Sequence, residues 1–310
     1  MTAIGSTVSS FVEGLFYRGR EGHLSFIGHR LAGLGTLLFL TIHILDTSTV
    51  YFGKLLNAPD LYTHAIDIYR STPFMLQEIV LVAAVIYHGV NGLRIILYDT
   101  FPNWWHIRTE RWGFWKVAVI TVVLWVPAAY LMGRSLYLNN ICRCAPASIR
   151  TPAQIAASTN LSLVIVPVAF VLILAVLALG GKLVSPPAAT RKVALPRKTA
   201  DTYIWQFMRW SGVLLIPLVW MHVALQDVLV GVHAIDLDFV ALRWATVGWR
   251  IYDIALLGFA FGHGMLGLRG VVNDYIHNPG WNRALKWLMA VGWLVITAIG
   301  AVAIVGGVAK

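Results

Sequence analysis

The chain has 310 residues, 58% hydrophobic and only 12% charged, at a mean hydropathy of +0.71. Soluble domains carry about 25% charged residues, so this composition excludes an ordinary water-soluble fold and points to lipid as the solvent. The net charge of +10 is spread over loops rather than gathered in one tail. That pattern reads as membrane topology and headgroup contact, and no nucleic-acid-binding surface is visible.

The amino-terminal stretch MTAIGSTVSSFVEGLFYRGREGH has no apolar run between a basic start and a small-residue cleavage site. A cleaved signal peptide is therefore not expected. A helix needs about 20 apolar residues to cross the hydrocarbon. The stretches 27–49, 76–98, 114–133, 161–181, 206–230, 248–272 and 285–307 qualify. The expected fold is all-α, a polytopic transmembrane bundle of seven spans. Pro217 is expected to kink the fifth. Between the third and fourth spans stand Cys142 and Cys144. One intervening residue makes a strained pairing, and no second pair completes a zinc site, so both read as structural or incidental. Ligation of haem or iron–sulfur clusters by cysteine is not expected. About two thirds of the 24 Lys and Arg fall on one side if the amino terminus is cytoplasmic, which sets N-in and C-out. Trp104, Trp105, Trp112, Trp115, Trp205 and Trp210 read as an interfacial belt.

The chain repeats itself. HRLAGLGTLLFLTIHILD around the first span matches MRWSGVLLIPLVWMHVALQD around the fifth, with a His 13 residues after the Arg in each (30 to 43, 209 to 222). HGVNGLRIILYD at the second span matches HGMLGLRGVVNDY at the sixth, with an Asp 11 residues after each His. An acidic residue ten before the His also recurs, as Glu78 and Asp253. Residues 1–136 and 205–310 are thus two three-helix units in the same orientation. Parallel repeats of three spans need one extra crossing, which span 161–181 and the basic linker up to 204 supply; 137–204 is the joint.

Ionisable residues inside spans are costly and usually functional. His43, His88, His222 and His263 all lie deep in spans. Under the repeat symmetry His43 faces His222 and His88 faces His263. Two such imidazole pairs suit a flat macrocycle ligated on both faces, that is, two b-type haems. The bland alternative is histidine as polar glue between helices. Gly89, Gly92, Gly264 and Gly267 are expected to make room where the ring approaches the backbone. Arg30, Arg209, Arg94 and Arg269 lie on the cytoplasmic side, where anionic propionates need partners; snorkelling to the interface is the alternative.

The pattern Ser-x-x-x-His-Arg-x-x-Gly, then His-x-x-x-Gly-x-Arg with a later Asp, then a second half ending His-x-x-x-Gly and Asp-Tyr, resembles the membrane anchor of succinate dehydrogenase. In most members two separate subunits make the anchor; here both stand in one chain. The resemblance implies that His88 and His263 ligate the haem nearer the cytoplasm. It implies that His43 and His222 ligate an outer haem found only in two-haem members. Ser25, His29, Arg30, Asp274 and Tyr275 match the quinone pocket, with Tyr275 donating to a quinone carbonyl. Ser25 stands one residue further from Arg30 than the family serine. The implied partners are a flavoprotein with FAD and an iron–sulfur protein, where succinate chemistry takes place. This chain then passes electrons between the iron–sulfur clusters and a membrane quinone, menaquinone in the two-haem arrangement, in a prokaryotic plasma membrane. Glu78 and Asp253 are candidates for proton exchange at the outer face, or helix-start carboxylates favoured by the dipole. Rival readings are a fumarate reductase anchor, a di-haem cytochrome b of another respiratory complex, and a transporter whose histidines relay protons.

Overall fold

In hydrocarbon an apolar segment has no hydrogen-bond partner but its own backbone, so each apolar stretch closes its bonds internally as a helix. The computed structural model describes residues 20–144, 171 and 199–308. Among these residues there is no strand, and the helices are α1 (Glu21–Leu55), α2 (Leu61–Tyr69), α3 (Thr72–Thr100), α4 (Ile107–Leu136), α5 (Ala200–Val223), α6 (Leu237–Ala245), α7 (Val247–Tyr275) and α8 (Pro279–Gly306). Six of them, α1, α3, α4, α5, α7 and α8, are long and apolar enough to cross a membrane. The chain is a multi-pass helical bundle. The expected span 161–181 lies outside the described residues.

The helices outrun their apolar stretches. α1 has 35 residues, which at about 1.5 Å per residue exceeds the hydrocarbon thickness. Its ends continue through the headgroup layer, where water and long basic side chains accept a helix as readily as a loop. α4 and α5 each run through an internal proline, Pro127 and Pro217. α5 stays helical through Pro217, and a π-helical turn, Ala224–Val230, follows it. A matching π turn, Tyr137–Ile141, extends α4. Just beyond it Cys142 and Cys144 are joined in a disulfide. All six tryptophans of the expected belt are exposed, at 43% to 61%.

Two short helices were not expected. α2 follows the first span of one repeat and α6 follows the first span of the other, and each has nine residues. They cap the same end of the bundle. α2 buries Tyr62 and Tyr69; α6 buries Phe239, Val240, Arg243 and Trp244. α6 starts where the Asp236 side chain accepts the Phe239 N–H at 2.8 Å, a helix N-cap. Tyr69 donates to Asp46 of α1 at 2.8 Å. Burial, and then this carboxylate, push the Tyr69 hydroxyl's pKa up, so it stays a donor.

The main core does not respect the repeat boundary. Leu37 and Ile44 of α1 pack with Leu257 and Phe261 of α7, Ile304 of α8 and the buried face of α6. At the other end Ser25 ties α1 to α3. Its hydroxyl donates to Asn91 Oδ1 (2.9 Å) and accepts from Arg94 Nη2 (2.7 Å), with all three residues buried. α6 is fixed to α7 by an ion pair. Arg243 donates to both oxygens of Asp253 (3.0 and 2.6 Å), the Trp244 indole donates to the same carboxylate at 2.9 Å, and Arg243 stacks over Trp249. Removing one partner of such a pair leaves a buried charge alone. Arg243→Met should therefore destabilise the protein by about 3–5 kcal/mol, read as a lowered thermal midpoint in detergent, while Arg243→Met with Asp253→Leu should recover most of the loss.

Candidate functional site

Four helices each deliver one histidine to the bundle interior: His43 from α1, His88 from α3, His222 from α5 and His263 from α7. The rings meet in two pairs. His43 and His222 have ring centres 5.9 Å apart with planes at 79°. His88 and His263 stand 6.2 Å apart with planes at 90°. Two imidazoles bound to one metal ion from opposite faces, with metal–nitrogen bonds of about 2 Å, place their ring centres about 6 Å apart. Both pairs have that spacing. Among the described residues no cluster of three or more His, Cys, Asp or Glu is arranged to hold a metal.

The His88–His263 pair is oriented from outside. His88 Nδ1–H donates to the His29 carbonyl at 3.0 Å. His263 Nδ1 lies 2.9 Å from Ser211 Oγ, whose own hydrogen goes to the Phe207 carbonyl at 2.7 Å. Nδ1 of His263 is therefore the donor, which leaves Nε2 as a lone pair in both rings. His29 stacks flat on His88, ring centres 4.0 Å apart. The close approaches to these rings are made by glycines other than the expected ones. A Cβ on Gly33 would sit 2.8 Å from His88 Cε1, and one on Gly212 would sit 3.5 Å from His263 Cε1. Gly33 and Gly212 are repeat equivalents, three residues after Arg30 and Arg209. By contrast Gly89 faces Trp220, Gly92 faces His29, Gly264 faces Leu37, and Gly267 has nothing within 4 Å. Gly33 and Gly212 thus set the clearance beside the paired imidazoles from the neighbouring helix, while the four glycines on the ligand-bearing helices lie away from those imidazole rings.

The His43–His222 pair lines a cavity of about 260 Å³ beneath α2 and α6. Four carboxylates share that lining: Asp46, Glu78, Asp227 and Asp253. Asp46 is bound by Tyr69 and Asp253 by Arg243 and Trp244. Glu78 is 8% exposed and takes part in no ion pair among the described residues. Asp227, on the π turn of α5, was not singled out in the sequence, although it closes the quoted repeat segment.

The arginines fall into two classes. Arg30 donates to Asp274, and Arg209 donates through Nε and Nη2 to Asp99, the Nε bond at 2.9 Å. Asp99 and Asp274 are the acids 11 residues after His88 and His263. Each repeat's arginine thus pairs with the other repeat's aspartate. Each guanidinium also lies over the ring four residues earlier, Phe26 and Trp205, at 4.2 and 4.9 Å. Arg269 donates to Asp201 at 2.9 Å, and Arg94 to Ser25. Ser25, expected in the quinone pocket, has its hydroxyl engaged by Asn91 and Arg94 together. Tyr275 ends α7, half-buried, next to Asp274.

Beside the His88 pair gather buried polar nitrogens that have no hydrogen-bond partner among the described residues: His29 Nδ1, Arg30 Nη1, and Arg94 Nε and Nη1. Burying a donor without a partner costs about 1–3 kcal/mol. Such donors suit an anionic or carbonyl-bearing ligand, so the residues present fit a haem propionate or a quinone oxygen at this end of the bundle.

The family model described as succinate dehydrogenase/fumarate reductase transmembrane subunit matches residues 15–128 and 185–304. The chain is also 34% identical over 117 residues to the succinate dehydrogenase 2 membrane subunit SdhC of Mycobacterium tuberculosis, an alignment that covers 38% of this chain and 81% of that protein.

The crossed ion pairs generate a direct expectation. Arg209→Asp sets two carboxylates side by side and should cost about 2–5 kcal/mol, seen as a drop in folded protein recovered from membranes. Restoring opposite charge with Asp99→Arg in the same chain should return most of it.

Proposed function

Because the chain belongs to the family of succinate dehydrogenase/fumarate reductase transmembrane subunits, we propose that it is a two-haem cytochrome b anchor passing electrons between an iron–sulfur subunit and membrane quinone. The observation that carries this reading is the pair of histidine couples, 5.9 and 6.2 Å across, each taking one ring from either half of the chain. His88 and His263 would hold the haem nearer the cytoplasm, and His43 and His222 the outer one. When bound, each haem supplies a one-electron carrier whose potential the two imidazoles set.

The chain's own residues do the positioning. The His29 carbonyl and Ser211 fix the tautomers of His88 and His263 and aim Nε2 inward. Arg30 and Arg94 offer the unmatched donors for propionate, while Arg209 and Arg269, already paired with Asp99 and Asp201, hold the same end together. His29, Arg30, Asp274 and Tyr275 form the quinone site. Asp274 steadies Arg30, and Tyr275 donates its hydroxyl proton in a hydrogen bond to a quinone carbonyl. Ser25 acts on that site through Arg94. At the other end Glu78, with Asp227 in the same cavity, exchanges protons with the outside. Asp253 serves there chiefly as the anchor for Arg243.

In this reading the amino terminus is cytoplasmic, the carboxyl terminus is outside a prokaryotic plasma membrane, and the quinone is menaquinone. A flavoprotein with FAD and an iron–sulfur protein complete the enzyme and carry the succinate chemistry. The same anchor serves succinate oxidation or fumarate reduction.

The decisive experiment is a reduced-minus-oxidised spectrum and haem stoichiometry on the complex purified with this chain. Two b haems per chain are expected. His43→Ala should lose one and keep the other. Absence of a b-type α band rejects the reading, and one haem per chain returns His43 and His222 to the core. Gly33→Ala, whose methyl would press on His88, should lower haem retention at that pair more than Gly212→Ala does at His263.

A further inference from the structure

At the end of the bundle marked by Arg30 and Asp274, the outer face of the second half carries two adjoining hollows. One, of about 510 Å³, is an almost wholly apolar groove between α5, α7 and α8, walled by Phe207, Phe259, Met265, Met289 and Trp293. Its floor is the small-residue face of α7, where Gly258 is exposed and a Cβ added to it would meet nothing within 4 Å. The other, of about 700 Å³, lies at the turn from α7 to α8 and is polar, lined by Asn273, His277, Asn282, Arg283 and Lys286. Lys286 and Ala290 line both, so the two are one continuous depression with a polar end and a greasy end.

The polar end is cationic. Among the described residues no Asp or Glu lines either hollow. Arg283 and Lys286 enter no ion pair among the described residues, and Arg269, at the head of the groove, spends a donor on the exposed Asp201. Exposed Trp281 and Trp287 flank this level, as aromatic side chains do where hydrocarbon meets headgroups. The turn itself is firm: Asn278 caps α8 by accepting from Gly280 and Trp281, and Asn282 donates to the Ile276 carbonyl at 3.0 Å.

We propose that this depression binds one anionic phospholipid, its phosphate held by Arg283 and Lys286 and an acyl chain laid along the groove past Gly258 and Gly262. Charge selects this occupant over the others that fit the shape. A quinone has the tail but no charge to match the cations, whereas anionic lipid has both, and basic pockets between spans are its known kind of seat. The site is separate from the histidine pairs and does not depend on what they bind.

The test uses the full-length chain with its accompanying subunits, extracted in mild detergent and washed free of loose lipid. Phosphorus assay and mass spectrometry should find one phosphatidylglycerol or cardiolipin per chain. Arg283→Gln with Lys286→Gln should weaken retention of added phosphatidylglycerol by about 30-fold, with no change for phosphatidylcholine. Gly258→Leu is the second variant. Its Cβ meets no described atom within 4 Å and the rest of the side chain enters the groove, so the variant should fold, keep the wild-type visible spectrum and still lose the lipid. A photoreactive phenylalanine at position 258 should label phospholipid. Labelling of residues 161–181, of a second copy or of quinone would overturn the proposal. So would phosphatidylcholine binding as well as phosphatidylglycerol, or retention unchanged in both variants.

Discussion

The architecture depends on a crossed exchange of charge. Arg30 of α1 pairs with Asp274 of α7, and Arg209 of α5 with Asp99 of α3. Each half therefore satisfies the other's charge. A guanidinium near the edge of a hydrocarbon layer is tolerated only with a partner, so the two units cannot separate at this end without exposing four charges to an apolar surround. The same contacts bring α1 beside α7 and α3 beside α5. That neighbourhood is what sets His43 opposite His222 and His88 opposite His263.

The symmetry is broken at the opposite end, and the break is chemically uneven. Asp253 is clamped by Arg243 and Trp244 of α6. Its equivalent, Glu78, has no such clamp among the described residues, where the arginine after α2, Arg70, turns instead to Asp67 and the Ile235 carbonyl. Two acids at matched positions thus have different partners, one held by Arg243 and Trp244 and the other buried in the cavity that Asp227 also lines. A duplicated scaffold thus holds its two matched acids in unlike surroundings.

Much of this was legible in the sequence, and the physics explains what was not. The spans were readable because hydrocarbon demands long apolar runs, and the histidines because they violate them. The ring pairs followed from the 13-residue spacing shared by both halves. The helix ends were unreadable, since the headgroup layer imposes no composition on a helix. α2 and α6 were not legible because nine residues are too few to stand out as a span. The crossing of the ion pairs was hidden for a different reason. Identical spacing in both repeats fits pairing within a unit as well as between units, and only the packing of α1 on α7 decides. Gly33 and Gly212 lie in the repeat, but spacing alone does not show that they face the imidazoles of the neighbouring helix.

Every histidine couple takes one ring from residues before the joint and one from residues after it. Neither half alone can present a complete couple. Tethering them makes their meeting intramolecular, at an effective concentration in the millimolar range for a short flexible link and lower for a longer one. Two separate polypeptides would need balanced synthesis and a bimolecular encounter within the bilayer. A single polypeptide supplies its halves in equal number by translation, so assembly no longer varies with expression level, and any group gripped by a couple staples the two halves of one molecule.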